Sequence, residues 1–198
     1  EKYYRIFWPK ALAHFGYEMS DDQALSMRSL GRPYAPKHLK EMFHDENLDY
    51  TTIRNYRKEI MEECLQKNGI ELKKGAVELL EFLKTKNVKR AIATATDEER
   101  ARKYLKQIGL EPYFDKIICA TMVEYGKPSP DIYEYACRQL KLLPEECMAV
   151  EDSPNGIHSA YSAGCNVFMV PDLTQPDAEL EKFIYKKVES LVALKEYF

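Results

Sequence analysis

The sequence predicts an α/β fold: a three-layer, Rossmann-like parallel sheet core preceded by an N-terminal all-helical segment. Two observations predict the sheet. From Leu72 onward, short apolar runs alternate with helical stripes at the pitch of strand–helix–strand units. The helices between the runs carry start and stop signals, such as Ser153-Pro154 before one of them and Gly164 after it. A third observation predicts the helical segment: the apolar stripes before Gly69 have helical spacing.

Each element follows from its own residues. Tyr4, Ile6, Phe7, Ala11, Leu12 and Phe15 form the stripe of a first helix over residues 2–15, with Gly16 as its stop. Pro9 suits only a first turn or a kink. Ser20 and Gln23 make a capping-box pair that opens a short helix ending near Gly31. Pro36 starts a helix to about Phe43. Asp49 or Thr51 starts a fourth, whose stripe Ile53, Tyr56, Ile60, Met61, Cys64, Leu65 is ended by Gly69. A helix over 76–86 then leads to a strand over 88–94. Thr96 and Glu99 form a second capping-box pair, opening a helix that Gly109 stops. A strand over 116–121 follows, then a helix from Ser129-Pro130 to about Leu140. Strand 147–150, helix 154–163 and strand 166–170 complete the alternation. The closing EKFIYKKVESLVALKEYF reads as an amphipathic tail.

A chain of 198 residues makes one large domain or two small ones and can bury a sizeable core. A net charge of −3, with no block of basic residues, gives no nucleic-acid or membrane-surface partner. No apolar stretch approaches a membrane span, and no signal peptide is visible. The five cysteines are odd in number and widely spaced, without a CxxC pair. That pattern points to reduced thiols in a cytoplasm rather than to a disulfide framework or a zinc site.

In open α/β sheets, ligands sit beyond the carboxyl ends of the strands. Those ends read Thr94-Ala95-Thr96, then Thr121 with Lys127 shortly after, then Glu151-Asp152, then Pro171-Asp172. Adjacent carboxylates at the end of a buried strand repel, and partial burial makes the charge costly. Either a cation sits beside them, or each turns away to cap a loop. Hydroxyls and helix-start N–H groups hold phosphate oxygens. A lysine balances phosphate as a point charge. Carboxylates with room for water suit Mg²⁺. Together these are the tools of phosphate chemistry.

The stretches AIATATDEE, GKPSPDIY and VEDSPNGIHSAYSAG resemble motifs II, III and IV of the haloacid-dehalogenase-like phosphatases, in order and in spacing. The β-phosphoglucomutase-like branch is the nearest match, and KALAHFGYEMS onward resembles its helical cap. The resemblance implies a helical cap domain over residues 1–71 and an α/β core domain over 72–198. It implies that Thr94 and the N–H of Ala95 hold the phosphoryl group. Lys127 would neutralise phosphate and nucleophile, and Glu151 and Asp152 would bind Mg²⁺. Ser153 and Asn155 would shape the loop and the following helix start. The cap selects the substrate, so Arg28 and Arg32 in MRSLGRP are candidates to read a second phosphate or a sugar.

The family's motif I, a DxD signature on the first strand, has no counterpart here. Its first Asp is the nucleophile and its second the general acid and base. The chain begins, without methionine, where that family's sequence resumes after the motif. In the family this strand lies mid-sheet, and each backbone bond left unmade there costs on the order of 1–3 kcal/mol. The expectation is therefore a fragment of a longer chain. That parent would be a Mg²⁺-dependent cytoplasmic phosphatase of small, sugar-phosphate-like metabolites, working through an aspartyl-phosphate. The alternatives are a phosphomutase of the β-phosphoglucomutase type, an inactive phosphate-binding protein, or a receiver-like α/β module whose acid pair serves in turns.

Overall fold

The computed structural model describes residues 1–198. Four helices come first: α1 (Lys2–His14), α2 (Asp21–Ser26), α3 (Tyr34–Phe43) and α4 (Tyr50–Asn68). The capping box on α2 is closed in both directions. Gln23 N–H donates to Ser20 Oγ at 3.2 Å, and Ser20 N–H donates to Gln23 Oε1 at 2.8 Å. Asp49 caps α4, accepting from Thr52 N–H at 3.0 Å. Pro9 lies within α1 and removes one N–H from its ladder. Helix α3 begins at Tyr34, so Pro36 sits in its first turn, where a missing N–H breaks no helical bond. The stripes meet in a buried cluster that includes Trp8, Leu12, Leu39 and Ile53.

The α/β part follows in the order α5 (Ala76–Thr85), β1 (Ala91–Thr94), α6 (Glu98–Gln107), β2 (Lys116–Cys119), α7 (Asp131–Leu140), β3 (Met148–Glu151), α8 (Pro154–Ser162), β4 (Asn166–Met169) and β5 (Lys186–Lys187). Its main core joins Ile118, Ile132, Ala149, Ile157, Val167 and Met169 from strands and helices together. Two expectations are corrected. Asp97, not Thr96, caps α6 by accepting from Arg100 N–H at 3.2 Å. A carboxylate at the N-cap also answers the helix dipole, while the Thr96 hydroxyl lies 3.3 Å from that of Tyr4. The tail is not one amphipathic element. It contributes β5 to the sheet edge and then short 3₁₀ turns, with Val188 and Leu194 buried against Leu79 and Phe168.

All strand pairs are parallel, in two ladders, β2–β1 and β3–β4–β5. The registers Thr94↔Cys119 and Glu151↔Met169 bring the carboxyl ends of paired strands level. β1 and β3 pair with one neighbour each, so each keeps an unpaired edge. Val150, an apolar residue inside β3, is 38 % exposed. No helix is long and apolar enough to cross a membrane.

Candidate active site

The carboxyl ends of β1 and β3 and the loop after β2 open onto one cleft of about 970 Å³, with Thr94, Ala95, Lys127, Glu151, Asp152 and Arg32 in its wall. The parallel ladders explain the convergence, since each strand delivers its end to the same side of the sheet. Thr94 closes β1, and its Oγ1 accepts from Thr96 N–H at 3.1 Å, which holds the loop in a tight turn.

Lys127 is only 4 % exposed and forms an ion pair with the equally buried Glu151. The Tyr133 hydroxyl, from α7, donates to the same carboxylate oxygen. Burial and the Glu151 charge hold the Tyr133 phenol well above its ordinary pKa, so it remains a donor. The Lys127 ammonium also lies 5.1 Å from the centre of the Tyr133 ring. Ser153 caps α8, accepting from Gly156 N–H at 3.2 Å, and its own hydroxyl lies 3.4 Å from Glu151 Oε2. A Cβ on Gly156 would collide with the Glu151 carboxylate, so glycine leaves that side chain room to turn inward.

The neighbouring acid behaves differently. Burial first, then the charges of Glu1 and Glu151, push the Asp152 carboxyl up to about 6, against the pull of Arg28. The two adjacent acids are thus met by two different cations, Lys127 for Glu151 and Arg28 for Asp152.

Arg28 requires a correction. It was expected to read substrate, but it is 1 % exposed and its fork is already engaged. It donates to the Asp152 carbonyl at 2.6 Å and to Thr174 Oγ1 at 3.0 Å, and it lies 3.5 Å from Asp152 Oδ2. Asn155 Nδ2 donates to the Arg28 carbonyl at 2.8 Å. The cap segment and the loop after β3 are therefore bolted together through Arg28. A second bridge is pure backbone. Gly31 N–H donates to the Lys127 carbonyl at 2.8 Å, and Gly126 N–H donates to the Arg32 carbonyl at 2.6 Å. A Cβ on Gly31 would fall 2.6 Å from Gly126 Cα, so this approach is open only to glycine. Arg32, one residue on, does line the cleft.

No three acid, histidine or cysteine side chains converge as a ready-made metal cluster. Glu151 is occupied by Lys127 and Tyr133, which leaves Asp152, partly exposed and held by Arg28 only at 3.5 Å, as the carboxylate with room for a further cation. One carboxylate completed by phosphate and water oxygens is a donor set that suits Mg²⁺. The residues present therefore fit such an ion in part.

A profile of the haloacid dehalogenase-like hydrolases matches residues 6–170. The chain belongs to this family. It is 36 % identical over 152 residues to a phosphorylated carbohydrates phosphatase of Thermotoga maritima, covering 73 % of this chain and 70 % of that protein. It is 38 % identical over 108 residues to hexitol phosphatase A of Escherichia coli, covering 54 % of this chain and 50 % of that one. Its fold matches a hydrolase from Pseudomonas syringae with a TM-score of 0.86 at 23 % identity, over 99 % of this chain and 90 % of that chain. It also matches a β-phosphoglucomutase from Clostridium difficile with a TM-score of 0.82 at 22 % identity, over 99 % and 87 %. Family members with this fold carry the α/β sheet and the N-terminal helical region seen here.

Sequence reading missed the partners rather than the motif residues. Tyr133 stands in an ordinary helical stripe, and only its position beside Glu151 marks it. Arg57, on α4, is 3 % exposed in the cleft wall, and nothing in its neighbourhood YRKEI signals that burial.

Proposed function

We propose that this haloacid dehalogenase-like hydrolase is a Mg²⁺-dependent phosphatase of small, sugar-like phosphorylated metabolites that works through an aspartyl-phosphate. In this reading residues 1–71 act as the cap and 72–198 as the core. The observation that carries it is the presence of Thr94, Lys127 and Asp152 on the wall of one cleft. The Thermotoga maritima and Escherichia coli relatives, named for phosphorylated carbohydrates and for hexitols, support the substrate class.

The roles follow from chemistry. The Thr94 hydroxyl and Ala95 N–H are donors placed for phosphoryl oxygens. Lys127, oriented by Glu151 and Tyr133, supplies a desolvated positive charge where negative charge accumulates in phosphoryl transfer. Asp152 would hold Mg²⁺, which supplies charge neutralisation at the phosphoryl oxygens. The other aspartates at the strand ends are committed elsewhere. Asp97 is committed as a helix cap and to Lys58 at 3.1 Å, and Asp172 pairs with Lys73. We place the attacking Asp on a strand paired with the free edges of β1 and β3, outside the residues described. Its carboxylate displaces the substrate's alkoxide from phosphorus, and water then hydrolyses the acyl phosphate. Ala93 and Val150, one from each free edge, border the same cleft, which supports that placement.

The test is hydrolysis of p-nitrophenyl phosphate by the full-length gene product. Activity is expected to require Mg²⁺, and Thr94→Val is expected to lower kcat/KM by about 10²-fold. Full activity in EDTA, or in Thr94→Val, contradicts the assignment.

A further inference from the structure

Three of the five cysteines meet, although they come from three different places in the chain. Cys137 lies in the last turn of α7, Cys147 stands just before β3 and Cys165 just before β4. In the β3–β4 ladder Met148 faces Asn166, so Cys147 and Cys165 enter two adjacent parallel strands at the same level. Asn166 N–H donates to the Cys147 carbonyl at 3.0 Å, which holds that register. Cys137 Sγ lies 3.6 Å from Cys147 Sγ and 3.8 Å from Cys165 Sγ. The contacts run in a line through Cys137 and do not surround a common centre, so they form no metal cage.

The three thiols differ in access. Cys137 and Cys165 are buried, and Cys147 is half-buried. Cys147 is therefore the one that a solute meets first. The segment from Cys137 to Cys147 folds back on itself. Leu142 N–H donates to the Cys137 carbonyl at 3.1 Å, and Cys147 N–H donates to the Pro144 carbonyl at 2.9 Å. The Cys147 thiol faces the Leu143 carbonyl at 3.4 Å. These bonds hold the two ends near each other, and the sulfurs need to close by only about 1.5 Å to reach disulfide bonding distance.

We propose that Cys137 and Cys147 are a reversible disulfide pair, entered at Cys147 by a low-molecular-weight disulfide. The Cys147 thiolate attacks one sulfur of that reagent, whose S–S bond breaks, and the first small thiolate leaves. Cys137 then attacks the Cys147 sulfur of the mixed disulfide, and the second small thiolate leaves. The two cysteine protons end on the two released thiols, so the reagent is reduced by two electrons and the protein oxidised by two. Burial pushes the Cys147 thiol up to about 12, so entry is slow. The hydrogen bond from Cys137 holds the Cys165 thiol below its ordinary pKa, but Cys165 is buried away from the reagent. Cys137 lies one turn after Tyr133 on α7, and β3 ends at Glu151. The bond thus fastens together the two elements whose side chains meet at the Glu151 carboxylate. Nothing in this pairing depends on the phosphatase reading.

Equilibration with cystamine and cysteamine at mildly alkaline pH tests it. A cationic disulfide suits the site, because the exposed acids Glu145 and Glu146 precede Cys147. Remaining thiols are alkylated in denaturant and counted by intact mass, and the cross-link is located by non-reducing peptide mapping. In the oxidising mixture the alkylated thiols are expected to fall from five to three, with one peptide joining Cys137 to Cys147. Excess cysteamine is expected to restore all five. Cys147→Ser is expected to abolish the cross-link, and Cys64→Ser to leave it unchanged. Cys147 is half-buried, so its serine variant is the informative one if Cys137→Ala does not fold. Five free thiols after equilibration, a cysteamine adduct that stays on Cys147 without a cross-link, or a cross-link undiminished in Cys147→Ser overturns the inference.

Discussion

Lys127→Met is expected to destabilise the protein by about 3–5 kcal/mol, the usual cost of leaving one member of a buried ion pair behind. Glu151 would remain in the core with the Tyr133 hydroxyl and, more distant, the Ser153 hydroxyl and the Asp152 N–H to compensate its charge. The same substitution removes the cation assigned to the phosphoryl group, so stability and phosphate binding fall together. A second variant separates the two effects. Lys127→Met combined with Glu151→Gln leaves no stranded charge, and the amide oxygen still accepts from Tyr133. Chemical denaturation of this pair is expected to recover most of the lost stability. Its phosphate affinity stays low, because the ammonium is gone. Recovery of both properties would mean that Lys127 serves packing alone.

Asp152 is expected to act in the opposite direction. Its folded carboxyl is raised to about 6 by burial and by Glu1 and Glu151. The unfolded value is near 3.9. The folded state therefore binds the proton more tightly, and the stability this contributes is complete below about pH 4. It is lost as pH rises through about 6. At pH 7.5 the ionised side chain, 26 % exposed, costs on the order of 2–3 kcal/mol. Without a divalent ion, Asp152→Asn is thus expected to raise Tm at pH 7.5 and to leave it nearly unchanged at pH 4. Mg²⁺ is expected to raise the Tm of the wild type at pH 7.5 and not that of Asp152→Asn. Thermal melts at the two pH values, with and without Mg²⁺, check this. An equal response to Mg²⁺ in both proteins removes Asp152 from the metal site.

The sequence carries the fold through periodicity and caps. Ser20 with Gln23, Asp49 and Ser153 are local signals, and each makes its bond within three residues. Thr and Asp both cap helices, so local sequence does not choose between Thr96 and Asp97; Asp97 takes the cap, and the Thr96 hydroxyl lies 3.3 Å from that of Tyr4, far off in the chain. The cleft was legible for a related reason. Parallel strands put their carboxyl ends on one side, so Thr94, Lys127 and Asp152 could be grouped from the element order alone. What surrounds them was not legible. Whether Arg28 faces substrate or bolts the cap to Asp152 depends on contacts across more than a hundred residues. The approach of Gly31 to Gly126 belongs to the packing of two loops, and neither glycine differs in sequence from one in an ordinary turn.

Titration of inorganic phosphate into the protein, with and without Mg²⁺, tests the central claim that the ends of β1 and β3 and the loop after β2 build a phosphoryl pocket. Binding is expected in Mg²⁺ and is expected to weaken about tenfold or more in EDTA or in Lys127→Met with Glu151→Gln. Phosphate that binds equally well under all three conditions, or not at all in the wild type with Mg²⁺, contradicts the account.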